Sequence, residues 1–181
     1  ECDLAVPVSG LGRFRLNVFV QRGEVSLVAR HVKSRIPGFE ELRLPRPVEQ
    51  LALLRQGLVL VVGAAGSGKS TTLASMLDFR NRNMGGHVVT VEDPIEFVHT
   101  HNRCIIDQRE VGLDTHSFQD ALRHVLRQSP DVIMIGEIRD AETMRHVLHY
   151  AETGHLCIST LHSNNANQAI ERIVNFFPES A

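Results

Sequence analysis

One eight-residue stretch constrains this chain more than any other. Gly63-Ala64-Ala65-Gly66-Ser67-Gly68-Lys69-Ser70 fits G-x-x-x-x-G-K-[ST] in full, directly after the apolar run Leu58–Val62 and at the start of a helical segment. Strand, loop and helix in that order are the context the motif requires. The glycines let backbone N–H groups converge on phosphate oxygens, and the helix N-terminus adds its positive end. Lys69 is then placed for the β- and γ-phosphates of ATP and the Ser70 hydroxyl for Mg²⁺. Thr71, in the first helical turn, lies near enough to donate to the α-phosphate.

The rest of the chain agrees with an α/β architecture. Apolar strands are expected at Leu58–Val62, His87–Val91, Val132–Ile135 and His155–Thr160. Helices are expected around Lys69–Asn81, Ser117–Arg127, Ala141–Ala151 and Asn165–Asn175. Ser117 and Asp140 serve as helix starts. Short apolar strands alternating with amphipathic helices predict a mostly parallel sheet. The front of the chain reads differently. Phe14, Leu16, Val18 and Val20 alternate with Arg13, Arg15, Asn17 and Gln21, and a second alternating run spans Glu24–His31, with Arg22-Gly23 as a two-residue turn. That register puts Arg15 opposite Arg30. Like charges so placed cost about 0.2–1 kcal/mol unless an anion or acidic partner lies between them. Residues 34–47, with Pro37, Pro45 and Pro47, read as a linker into a short helix running to Gln56.

A nucleotide hydrolase needs an acid near its Mg²⁺ and another to orient or deprotonate water. In an open parallel sheet both must sit at the carboxyl ends of strands. Glu92 ends one strand and is read as the base; Glu137 ends another and is read as the acid near Mg²⁺, directly or through water. Asp131 precedes its strand, about 15 Å away at ~3.3 Å per residue, and is read as a strand-entry residue. Of the ten histidines, His162 emerges just past a strand end on the nucleotide side, where it can donate to the γ-phosphate or sense its loss. His155 lies at the other end of the same strand. The segment from His99 through His101 to Cys104 is read as an exposed loop without a metal site.

With 19 Lys+Arg against 21 Asp+Glu, the net charge of −2 argues against non-specific nucleic-acid binding. No stretch approaches the ~20 apolar residues of a membrane span, so direct membrane insertion is not expected. Three cysteines without a CxxC pair suit a reducing, cytoplasmic compartment. The first methionine is Met76, so the chain is expected to begin inside a longer parent, with Ala181 a second cut.

Four blocks stand in order: the GAAGSGKS loop, Thr90–Phe97 (TVEDPIEF), Gly136–Asp140 (GEIRD), and Thr153-Gly154-His155 through Thr160-Leu161-His162. This resembles the type II/IV secretion ATPase superfamily, where they are the Walker A motif, Asp box, Walker B motif and His box. Among its branches the chain looks most like the type IV pilus retraction ATPases of the PilT and PilU type. The Asn164–Gln168 stretch and the Asn175–Glu179 ending lean towards PilU. The resemblance implies a RecA-like P-loop core (residues 48–181) preceded by the last strands of a PAS-like α+β domain (residues 1–33). It implies that Gly63–Thr71 bind ATP, and that Ser70 and Glu137 serve Mg²⁺. Glu92 becomes the catalytic glutamate, and His155 and His162 the His-box pair. Arg15 and Arg30 become arginines delivered to a neighbouring subunit's nucleotide. The implied assembly is a homohexamer, with or without a paralogous retraction ATPase. It would work on an inner-membrane platform protein and be peripheral to that membrane. Alternatives within reach of the same motifs are a pilus-assembly or type II secretion ATPase, and an accessory ring subunit dependent on a catalytic paralogue.

Overall fold

The structure, a computed structural model, describes residues 1–32 and 35–177. The expected boundary at 33/34 and the Pro178-Glu179 end of the last block lie outside them.

Two sheets organise the chain. The first is antiparallel, in the order β1 (Cys2–Val8), β2 (Gly12–Gln21), β3 (Glu24–Val32). Arg22 and Gly23 both take positive φ, 51° and 82°, as a tight two-residue hairpin requires. The register places Arg15 opposite Arg30, as expected. β1 was not expected. Its alternation of Leu4, Val6 and Val8 puts them on the face of Phe14, Leu16 and Val18, and all three of these β1 residues remain exposed.

The second sheet has five strands in the order β4 (Gly57–Gly63), β8 (Leu156–His162), β7 (Val132–Ile135), β5 (Gly86–Glu92), β6 (Cys104–Glu110). Every neighbouring pair in it is parallel. Period-2 alternation explains how helices cover both faces. Val59, Val88, Met134 and Ile158 point to one side, where Ala52 of α1 (Pro47–Ala52) and Leu73, Met76 and Leu77 of α2 (Lys69–Asn83) bury them. Val89, Ile133, Ile135 and Cys157 point to the other. There they meet Leu122 and Val125 of α3 (Phe118–Val125), Met144 and Val147 of α4 (Ala141–Glu152), and Ala169 of α5 (Ala166–Asn175). The expected caps form at Ser117 and Asp140, and Asn165 adds another; each accepts a backbone N–H three residues on.

Three expectations are corrected. The first helix stops at Ala52 rather than Gln56, because the buried Arg80 guanidinium takes the carbonyls of Ala52 and Leu54 and turns the chain towards β4. The third helix gives way to a 3-10 turn, Leu126–Gln128. The segment 99–104 is an exposed loop only at residues 100–103: His99 and Cys104 are buried, and Cys104 opens β6, an edge strand the sequence pattern concealed. Residues 35–46 pack as well as connect, with Phe39 stacked on Phe79 and Ser75 donating to Pro37 O.

Candidate active site

Parallel strands deliver their carboxyl ends to one rim, and the motif loop sits there between β4 and α2. Gly66 and Gly68 have φ of 75° and 93°, which L-residues rarely adopt, and a Cβ on either would meet nothing. Gly63 is required for a different reason: a Cβ there would approach Ser67 Oγ to 2.5 Å. The loop therefore turns tightly and leaves open space in front of its N–H groups. Lys69 is buried and donates to Gly63 O (3.1 Å) and Ala64 O (2.9 Å), lying 3.5 Å from His162 Nδ1. A buried ammonium folded onto its own loop suits an incoming polyanion. The Ser70 hydroxyl donates to Glu96 Oε1 at 2.8 Å, and Thr71 lies in the first turn of α2.

Facing the loop across a cavity of about 220 Å³ are the ends of β5, β7 and β8. Glu92 closes β5 and is only 8% exposed. Its Oε1 accepts from Thr90 Oγ1 (2.8 Å) and Gln108 Nε2 (3.0 Å). Burial pushes this carboxyl up to about 7; the two hydrogen bonds oppose the rise and the nearby Glu96 charge adds to it. Such a group is poised to exchange a proton near neutrality.

A polar chain runs round the opposite wall. His162 Nε2 lies 3.3 Å from Glu137 Oε1, Glu137 Oε2 accepts from Arg139 Nε (3.1 Å), and Arg139 Nη1 reaches Asp93 Oδ2 (3.4 Å). With Nδ1 turned to Lys69, His162 joins the loop's cation to the Glu137 carboxylate.

The structure thus gathers Gly63, Ala64, Ala65, Gly66, Ser67, Gly68, Lys69, Ser70, Thr71, Glu92, Glu137 and His162 around one rim. His155 is not brought there. It lies at the entry of β8, roughly 20 Å away at ~3.3 Å per residue, its Nδ1 3.2 Å from Tyr150 O and 3.3 Å from Thr153 Oγ1. Asp131 is likewise at the far end, accepting from His87 N. Arg15 and Arg30 border a separate hollow with Pro94, Ile95 and Glu96, and Arg15 Nε lies 3.7 Å from Glu110 Oε1. Arg15 thus finds an acidic partner within the same chain.

Two residues at the site escaped sequence reasoning. Glu96 stands four positions after Glu92, within a quoted block, but only the fold shows it on Ser70. Gln108 sits on β6, and no periodicity signalled that strand.

The oxygen donors of Ser70, Glu96 and Glu137 are of the kind Mg²⁺ prefers. Among the described residues no three His, Cys, Asp or Glu side chains form a metal-binding group.

Known proteins resemble this chain over nearly its whole length. The chain is 57% identical to the type IV pilus ATPase PilU of Pseudomonas aeruginosa, over 98% of this chain and 47% of that protein. It is 47% identical to the retraction ATPase PilT of the same organism, over 98% of this chain and 52% of that one. It thus spans about half the length of the curated relatives it matches. The solved structure of the pilus retraction motor PilT with bound ADP superposes with a TM-score of 0.95 at 52% identity, covering 99% of this chain and 52% of that one. This match fits the antiparallel sheet to the end of the expected PAS-like domain and the five-stranded sheet to the RecA-like core. The type II/IV secretion system protein family matches residues 31–180, across the loop and every acid around it, and to that family this chain belongs.

Proposed function

We propose that the chain is the nucleotide-hydrolysing part of a motor ATPase that converts ATP and water to ADP and phosphate and drives type IV pilus retraction. The observation that carries the reading is one pocket at the carboxyl rim of a parallel sheet. It holds both a phosphate cradle with a buried lysine and a buried carboxylate titrating near neutrality. Similarity to PilU and PilT supports the pilus system and, with it, a hexameric ring working on a platform protein at the cytoplasmic face of the inner membrane. The division into residues 1–33, 34–47 and 48–181 belongs to the same reading.

In this mechanism the loop N–H groups and Lys69 hold the phosphates, with Lys69 exchanging its carbonyl partners for phosphate oxygens. Ser70 and Glu137 serve Mg²⁺, which supplies neutralisation of charge building on the phosphates. Glu96 would have to release the Ser70 hydroxyl. Glu92 accepts a proton from the attacking water through Oε2, its side-chain donors Thr90 and Gln108 both lying on Oε1. His162 couples Lys69 to Glu137 and so registers the loss of the γ-phosphate. Arg15 and Arg30 supply positive charge to a nucleotide, in a neighbouring subunit as the resemblance implies.

ATPase rate and nucleotide binding, measured together on the full-length protein, test the reading. Glu92→Gln should abolish turnover, by at least about 100-fold, while ATP binding persists. Lys69→Ala should lose binding. Binding without turnover in the unmutated protein, under every ring-forming condition, would replace the motor with an accessory ring subunit.

A further inference from the structure

Gln108 is half-buried on the edge strand β6 and spends its whole amide on the site. Nε2 donates to Glu92 Oε1 (3.0 Å) and to Phe97 O (2.9 Å), while Oε1 accepts from His99 N (2.8 Å). The amide orientation is fixed by these partners, since the carbonyl of Phe97 can only accept and the N–H of His99 can only donate. One side chain therefore ties the Glu92 carboxylate to the backbone of the loop 93–99. Thr90 donates to the same carboxylate oxygen at 2.8 Å. With both side-chain donors on Oε1, the Glu92 carboxylate is held at one end.

We propose that Gln108 is a positioning residue for hydrolysis, orienting the Glu92 carboxylate so that Oε2 faces the water attacking the γ-phosphate. This rests on the reading of Glu92 as the base. The requirement is geometric. A general base acts within hydrogen-bond reach of its proton, about 2.6–3.2 Å, and a carboxylate free to rotate spends little time there. A hydrogen bond to a fixed amide also costs nothing at the moment of reaction, because its partners are already in place.

Gln108→Met in the full-length protein keeps the side-chain volume and removes the amide. Steady-state kinetics should show kcat reduced at least about tenfold, with KM for ATP and the affinity for ADP within about twofold of the parent. A double-mutant cycle with Glu92→Gln supplies the second readout. If Gln108 acts through Glu92, Gln108→Met lowers the residual rate of Glu92→Gln no further. Unchanged kcat, equal loss of ADP binding and turnover, or multiplying effects in the cycle would each overturn the proposal and leave Gln108 a structural tie. A variant that no longer folds would be read the same way. Retained turnover in Glu92→Gln alone would instead overturn the base reading beneath it.

Discussion

Single residues at this site are held in states that differ from those they adopt in water, and Glu92 shows it best. Its carboxyl titrates near 7 in the folded chain against an ordinary 4.5, chiefly because it is buried. The folded state therefore binds more protons than the unfolded state between those values, and stability falls as pH rises from about 4.5 to about 7. Glu92→Gln removes the penalty. Urea unfolding of the two proteins should find the variant more stable by about 3 kcal/mol at pH 8, with the gap closing towards pH 4.5. The same titration sets the chemistry: kcat should climb with pH through about 7 and then level, and a flat acid limb would remove Glu92 from the step.

Among the elements, β6 explains what could and could not be seen from residues in a row. β5, β7 and β8 announce themselves as apolar runs because helices cover both their faces. At the sheet edge, β6 runs Cys-Ile-Ile-Asp-Gln-Arg-Glu, and its polar half contradicts any burial pattern. Those polar groups nonetheless have definite partners: Asp107 takes His87, Gln108 takes Glu92, and Glu110 takes Ile95 N. None of these pairs is adjacent in sequence, so no local rule reveals them. The motif loop was legible because its chemistry needs eight consecutive residues; the carboxylate clamp was not, because it spans two strands and a loop. The entry to β6 hangs on Asn81 of α2, whose Oδ1 accepts from Asn102 N and Cys104 N and whose Nδ2 donates to Thr100 O. Asn81→Ala should cost about 2–3 kcal/mol by leaving buried backbone groups unpaired, read as a lowered urea midpoint. It should lower turnover more than nucleotide binding, since β6 carries Gln108 and not the cradle.

At the scale of the whole chain, the two sheets differ in what they leave uncovered. The five-stranded sheet is enclosed, whereas the three-stranded one exposes Leu4, Val6, Val8, Val20, Val25 and Leu27 on one apolar face. This 181-residue chain on its own should therefore self-associate and bind a hydrophobic dye. Light scattering of dilute samples would show it, and Leu27→Lys should reduce it. The opposite face meets the larger sheet through charge, with Arg15 3.7 Å from Glu110 Oε1, an oxygen that is buried without a hydrogen bond. Arg15→Ala should cost about 1–3 kcal/mol, between the values for exposed and fully buried pairs. Enclosure changes how this contact answers to salt. The Glu110 side chain is only 4% exposed, so mobile ions screen the pair weakly. The join between the two sheets should therefore persist at ionic strengths that dissolve ion pairs standing in open water.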